Sequence, residues 1–310
     1  MKLIHDPVKN IGLKICAAIG IFDGVHIGHK SIIQMVKQSA NADNLSSCLI
    51  TFNPHPQEVI TGKQLPLIVP FSERVKLLEQ EKLDITVCFN FTKEFSGLSA
   101  EEFITDILVG RLNLKKLFVG PDFVFGRNRG GNTELLFNLG MKLGFETKTV
   151  SQVTKNGHPV SSTEIRNLIS DGKIDQVNEY LGRRYSIEGK VTEGEKRGRI
   201  LGFPTTNLDT EWKFLPRLGV YITYALVRGK RYQSITNIGY RPTFGNNSLL
   251  IETHILDFED DLYGKHIRLE FLKRLRDEKK FSGIEALKSA ISLDVENTRK
   301  YFNGIEEIES

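Results

Sequence analysis

The chain has 310 residues, of which 40% are apolar and 26% charged, with a net charge of +4. Single cores stop growing at roughly 250–300 residues, so two domains are expected. The composition excludes a disordered chain, no run nears the ~18 apolar residues of a membrane span, and so small a basic excess suits anionic small molecules, not nucleic acid.

Met1 to Asn10 mixes Lys2, His5, Asp6 and Pro7 with few apolar residues and does not read as a secretory leader. A strand is predicted at Ile15–Phe22, then a helix over Lys30–Ala40 with Ile32, Ile33 and Val36 on one face. Cys48–Phe52 reads as a strand, Ser72–Glu81 as a helix with Ser72 as N-cap, and Ile85–Phe91 as the next strand. A helix over Leu98–Leu108, a strand at Leu117–Gly120, a helix over Thr133–Leu143 and a strand at Phe145–Val150 complete the half. This alternation predicts a mostly parallel, Rossmann-like α/β sheet covered on both faces, with ligands at the carboxyl ends of its strands. Cys16, Cys48 and Cys88 each fall in such a strand, and an odd count without paired spacing predicts free thiols in the reducing cytoplasm.

Between Ser162 and Leu181 two short helices break at Asp171-Gly172 and end in the polar Gly182-Arg183-Arg184, which sets the expected boundary between domains 1–182 and 183–310. Beyond it the period becomes two: Tyr185–Thr192, Val220–Val227, Tyr232–Asn237, Leu249–Asp257 and Ile267–Leu275, with Gly229-Lys230 as a tight hairpin. Short strands at this spacing predict a small closed barrel. Gly283–Phe302 is an amphipathic helix whose Ile284, Leu287, Ile291, Val295 and Phe302 share a face for docking on the barrel.

The first chemical cluster is Gly20-Ile21-Phe22-Asp23-Gly24-Val25-His26-Ile27-Gly28-His29, at a strand-to-helix junction. Amide N–H groups and the helix dipole favour an anion there, His26 and His29 point the same way, and Gly28 lets a phosphate approach. The plainer reading is a pair of histidines capping the helix. His-Ile-Gly-His is also a signature of class I aminoacyl-tRNA synthetases, but their second signature, Lys-Met-Ser-Lys-Ser, is absent. In its place stands Ser161-Ser162-Thr163-Glu164-Ile165-Arg166, where Ser162, Thr163 and Arg166 can grip ATP phosphates or simply cap a helix. Asn53-Pro54-His55-Pro56 is a stiff strand-end loop, with Asn53 and His55 as binding candidates. Gly120-Pro121-Asp122-Phe123-Val124-Phe125-Gly126 runs into Arg127-Asn128-Arg129-Gly130-Gly131, whose glycines between arginines suit a phosphate loop or a solvated turn.

The ordered set Gly-x-Phe-Asp-Gly-Val-His-x-Gly-His, Pro-His-Pro, Gly-x-Asp-Phe-x-Phe-Gly-x-x-Arg-x-Gly and Ser-Ser-Thr-x-Ile-Arg resembles the N-terminal half of the bifunctional bacterial riboflavin kinase/FMN adenylyltransferases. The resemblance implies a nucleotidyltransferase domain in which His26 and His29 are catalytic. It also implies that Gly20, Phe22, Asp23, Gly28, Asn53, His55, Asp122, Phe125, Gly126, Arg129, Ser162, Thr163 and Arg166 bind ATP or FMN.

The second cluster opens with Gly194-Glu195-Lys196-Arg197-Gly198-Arg199-Ile200-Leu201-Gly202-Phe203-Pro204-Thr205-Thr206-Asn207. It is no Walker loop, because no Gly-Lys-Ser/Thr ends it, yet it can wrap phosphates, and Thr205 and Asn207 supply oxygens of the kind magnesium prefers. Leu215-Pro216-Arg217-Leu218-Gly219-Val220-Tyr221, Asn237-Ile238-Gly239-Tyr240-Arg241-Pro242-Thr243-Phe244 and Glu252-Thr253-His254-Ile255-Leu256-Asp257-Phe258 follow. Glu252 alternates with apolar neighbours and reads by itself as a solvent-facing strand carboxylate. Together these runs resemble the family's riboflavin kinase domain, which implies a six-stranded antiparallel barrel with a C-terminal helix. By that resemblance Glu252 is catalytic, Thr205 and Asn207 hold Mg²⁺, and Gly198, Arg199, Gly202, Phe203, Pro204, Asn237, Gly239, Arg241 and Arg276 bind ATP or flavin. Thr206 stands where alanine is commoner, and Ala290 where glutamine is.

The implied function is ATP-dependent conversion of riboflavin to FMN and of FMN to FAD, with no nucleic-acid or membrane partner and no required self-association. A neutral ribityl hydroxyl needs a base, which Glu252 supplies, whereas the FMN phosphate is already an anion and needs only donors and alignment. The alternatives are a synthetase-like adenylating enzyme and a non-catalytic flavin sensor.

Overall fold

The computed structural model describes residues 1–193, 198, 201–241 and 248–309, with the backbone alone at 241, 248 and 305–309. The chain divides into two compact units, Met1–Ser162 and Thr163–Ser310. The boundary expected at 182/183, drawn where the periodicity changes, remains a proposal.

The first unit is built on β1 (Lys2–His5), β2 (Ile15–Ile19), β3 (Ser46–Phe52), β4 (Ile85–Phe89), β5 (Leu114–Val119) and β6 (Glu146–Thr149). They form one all-parallel sheet in the order β1-β4-β3-β2-β5-β6. Strands β2 and β4 are buried along their whole length, as a sheet covered on both faces requires. β1 escapes a periodicity search because only Leu3 and Ile4 are apolar; pairing with β4 defines it. The three thiols lie buried and unbridged in this sheet, and burial pushes that of Cys88 up to about 11, so they are poor nucleophiles.

Helices α1 (Ile27–Ala42), α2 (Pro56–Thr61), α3 (Phe71–Gln80), α4 (Lys93–Ser96), α5 (Ala100–Glu102) and α6 (Thr133–Leu143) connect the strands. Two expectations change. The N-cap of α3 is Pro70 and not Ser72, with no side-chain cap bond. The helix expected over Leu98–Leu108 starts at α5 in a Ser99/Glu102 capping box and continues as a π-helix, Phe103–Arg111. Two-residue strands β7 (Thr154–Lys155) and β8 (His158–Pro159) make a small hairpin before α7 (Ser162–Asp171).

The second unit holds most of α7, then α8 (Ile174–Leu181) and β9 (Tyr185–Thr192), β10 (Thr206–Thr210), β11 (Gly219–Val227), β12 (Lys230–Arg241), β13 (Ser248–Ile255) and β14 (His266–Arg276). These strands close as β10-β13-β12-β11-β14-β9, antiparallel throughout. The sixth strand, β10, begins within the Thr-Thr-Asn run and continues to Thr210, where no strand is expected from the pattern. The hairpin loop is Arg228-Gly229 rather than Gly229-Lys230, because Lys230 pairs with Val227. Both loop residues have positive φ (49° and 80°), as a type I′ turn demands. A C-terminal helix, Ile284–Glu309, packs Val295 and Phe302 against barrel residues, while Ile284, expected on that face, is exposed.

The barrel interior is not wholly apolar. Thr223, Ser234, Thr236 and Thr253 are all at most 1% exposed and linked hydroxyl to hydroxyl at 2.8–2.9 Å. The Ser234 hydroxyl donates its only proton to the Thr223 carbonyl. It must therefore accept from Thr223, which accepts from Thr236, which accepts from Thr253. Directionality is thus fixed along the whole chain of hydroxyls.

Candidate active sites

In the first unit, β2 ends at Ile19 and the chain turns sharply, with Phe22, Gly24 and Val25 all at positive φ. The turn delivers His26 to the N-cap of α1, where its Nδ1 accepts from the His29 amide at 3.3 Å. An accepting Nδ1 leaves the ring proton on Nε2, making that edge an N–H donor. The two imidazoles stack at 3.5 Å between centroids, and Phe22 meets His29 edge-on at 5.2 Å. His26 therefore caps the helix through its Nδ1 edge, as the plainer reading expected.

Gly28 has a nearer reason than phosphate access: a Cβ there would lie 3.1 Å from the His26 ring. Asp23, expected to bind nucleotide, is 3% exposed, and its carboxylate accepts from the amides of Ile68 and Val69 at 3.0–3.4 Å. It fastens the histidine loop. Ser162 fastens it too, its hydroxyl donating to the Asp23 carbonyl at 3.0 Å. Asn53, exposed at the end of β3, precedes Pro54 in a cis peptide bond, and His55 caps α2 through Nδ1 to the Gln57 amide.

In the loop after β5, Asp122 and Arg129 are exposed, while Phe125 stacks on Phe123 and pairs by backbone with Gly131. Gly126 and Gly131 are required by packing, since a Cβ on either would come within 2.8 Å of Ala100. Gly20 sits at the carboxyl end of β2. Thr163 and Arg166 belong to the second unit, where the guanidinium donates to the Thr163 hydroxyl at 3.2 Å.

Arg74 was not foreseen. It is 3% exposed in the first turns of α3, with one guanidinium nitrogen donating to Ile21 O at 2.8 Å and the other to Phe52 O at 3.0 Å. A basic residue in an amphipathic helix looks like surface, and only the helix's position against two strand ends reveals otherwise.

The second unit gathers its residues by register. Asn207 on β10 faces Glu252 on β13, which faces Asn237 on β12; Asn237 faces Val220, and Val220 faces Arg276. Facing residues share one side of a sheet, so a single belt of side chains crosses the barrel wall. Asn207, Glu252, Asn237 and Arg276, together with Thr205, line a cavity of about 350 Å³ whose apolar walls include Phe203, Tyr240 and Phe281. Gly198 also lines it, and a Cβ there would strike the Phe203 carbonyl. A Cβ on Gly239 would meet the Glu278 carboxylate, the far end of an exposed and flexible side chain that can move aside. The Arg276 guanidinium, expected to meet ligand, is held by Asp294 of the C-terminal helix at 2.7–3.1 Å, so it latches that helix to the cavity. The Pro204 carbonyl accepts from His254 Nδ1 at 2.7 Å, and Gly202 turns at φ 88°. Thr206 donates to the Thr253 carbonyl at 3.3 Å. Arg199 lies outside the described residues, as does the side chain of Arg241.

A family model for FAD synthetase matches residues 9–164 and one for riboflavin kinase matches 181–302. The chain is 36% identical over 310 residues to the bifunctional riboflavin kinase/FMN adenylyltransferase of Buchnera aphidicola subsp. Schizaphis graminum, covering 98% of this chain and 99% of that protein. The chain belongs to the bifunctional riboflavin kinase/FMN adenylyltransferase family. The family's Bacillus subtilis member is 34% identical over 308 residues, covering 97% of this chain and 96% of its own. A solved structure from Streptococcus pneumoniae, described as a macrolide-efflux protein, superposes with a TM-score of 0.85 at 28% identity, over 96% of this chain and 99% of that one. Among the described residues no helix is long and apolar enough to cross a membrane. Flavin synthesis through two transferase activities is the family's function, and nothing in the comparisons favours the synthetase or sensor alternatives.

Proposed function

We propose that the barrel unit phosphorylates riboflavin with Glu252 as general base, and that the N-terminal unit adenylylates the resulting FMN with His26 and His29 as donors to the transferring phosphate. The reading is carried by the belt that sets Asn207, Glu252 and Asn237 side by side on one cavity. As the ribityl oxygen bonds to the γ-phosphoryl group and the bond to ADP breaks, the hydroxyl proton passes to the Glu252 carboxylate. Thr205 and Asn207 offer neutral oxygens on the same wall, a donor set that fits Mg²⁺. Held there with the nucleotide, the ion would neutralise phosphate charge.

The aromatic-walled cavity suits a flat ring system. A second cavity of about 430 Å³ shares Thr205 and Tyr263 with it and is also lined by Glu259, Asp260 and Asp261. Those carboxylates repel phosphates, so adenosine belongs deep in this cavity with its phosphates toward Thr205. Adenylyl transfer makes the opposite demand. The FMN phosphate attacks the α-phosphate of ATP and pyrophosphate leaves, so the Nε2 edge of His26, His29 and the start of α1 need only align and steady the charge. Three buried free thiols support a cytoplasmic setting, and small anionic ligands account for the charge without nucleic acid.

Chromatography of riboflavin, magnesium and ATP after incubation with the protein tests the whole scheme. Glu252→Gln is expected to lower riboflavin phosphorylation by about 10²–10⁴ while FAD still forms from supplied FMN. His29→Ala is expected to do the reverse. Loss of both activities in either variant would refute the separation of sites.

A further inference from the structure

Arg74 occupies a place where a cation is unwelcome on two counts. It lies in the first turns of α3, at the positive end of the helix dipole, and it is 3% exposed. Burial pushes its pKa below the usual guanidinium value, and the neighbouring Asp23 carboxylate works against that shift. Its Nε has no hydrogen-bond partner among the described residues. A side chain kept only for stability would be better replaced by an apolar one of similar volume.

Its donors show what it does instead. One nitrogen holds Ile21 O, in the loop that runs from β2 to His26 and His29. The other holds Phe52 O, the last residue of β3, next to Asn53 and His55. The planar fork spans two neighbouring strand ends that no backbone bond joins beyond Gly20 N to Ile50 O among the described residues. Thr51 adds a third tie, its hydroxyl donating to the same Ile21 carbonyl at 3.2 Å. The guanidinium lies over the Phe71 ring at 4.9 Å, which fixes it from the α3 side. Asp23, on the same loop, is bonded to the amides of Ile68 and Val69.

We propose that Arg74 is a positioning residue of the adenylyltransferase, holding the histidine loop and the Asn53–His55 loop at a fixed separation. It touches no reacting atom; it sets where His26 and His29 stand relative to the second loop. The proposal rests on the assignment of adenylyl transfer to this loop, and the same chain carries its own control, because riboflavin phosphorylation reports on folding elsewhere.

The test measures steady-state FAD formation from supplied FMN, and riboflavin phosphorylation, for four variants of the full chain. Arg74→Met keeps the stem and removes the fork; its kcat for FAD formation should fall about 10²-fold with KM for FMN and ATP changed far less, because misplacing groups by about 1 Å costs that much. Arg74→Lys, which can restore one carbonyl contact, should recover part of the loss. Thr51→Val removes the third tie without burying a lone charge and should lower kcat by a smaller factor, which keeps the proposal testable if Arg74→Met does not fold. Riboflavin phosphorylation should stay unchanged in all three. FAD formation at the wild-type kcat in Arg74→Lys and Thr51→Val, or a loss confined to KM, would overturn the proposal. His29→Ala separates the two readings: if it still makes FAD, the site assignment falls, whereas loss in His29→Ala with full activity in Arg74→Met defeats the positioning role alone.

Discussion

Replacing Thr236 by valine keeps volume and strand propensity and removes one hydroxyl from the middle of the barrel's ordered chain. Thr236 is fully buried and is bonded to Thr223 and Thr253 at 2.8 and 2.9 Å. The substitution deletes two hydrogen bonds worth about 1 kcal/mol each and strands the Thr253 donor, which adds about 1–3 kcal/mol, so a loss of about 3–5 kcal/mol is expected. That is a large part of the roughly 5–15 kcal/mol that holds a domain together. Trp212, the sole tryptophan, is buried in the second unit, so its fluorescence follows barrel unfolding by itself. At an m-value of about 2 kcal/mol/M the urea midpoint should drop by about 1.5–2.5 M. Thr236→Ser keeps the hydroxyl and should recover most of it. A midpoint for Thr236→Val within about 0.25 M of wild type, or a serine variant as damaged as the valine one, would refute the reasoning.

A fragment beginning at Thr163 should unfold cooperatively and phosphorylate riboflavin, whereas one beginning at Arg183 should unfold at lower urea. The difference arises because α8 packs on β9 and β14, and Asn178 both donates to Phe271 O and accepts from the Tyr185 amide; Trp212 fluorescence compares the two. On the first unit, Lys116 bonds to Asp43 and Glu146, and that contact holds both carboxyls below their usual pKa. Depressed carboxyl values stabilise the fold above the unfolded value of about 4 and lose that effect as pH falls through the folded values. The stability gap between wild type and Lys116→Met should therefore be present at neutral pH and close under acid, as thermal melts across that range would show; a gap that widens in acid would contradict the assignment.

Sequence patterning reached the two-part architecture because its signals are local: strand–helix alternation before Leu181, alternation of two after it. It missed β1 and β10, which are strands only through their partners, and it placed the hairpin loop one residue late because pairing, not composition, fixes register. The motif glycines were legible but their reasons were not. Gly28, Gly126 and Gly131 make room for protein atoms, His26 and Ala100 among them, before they make room for any ligand. Asp23 and Arg276 look like ligand-binding charges in a string of letters, yet one grips two amides and the other a buried carboxylate. Arg74 carried no signal at all, because what distinguishes it is the pair of strand ends it spans.

The belt of Asn207, Glu252 and Asn237 draws one residue from each of three adjacent strands, and in each strand the neighbouring position points into the barrel. Inserting one residue upstream within β13 would turn the carboxylate inward among the threonine hydroxyls and bring a hydroxyl out to meet the substrate. Strand length here can therefore drift only in steps of two, while the turns between strands stay free to grow. Chemistry and parity are locked together in this half of the molecule.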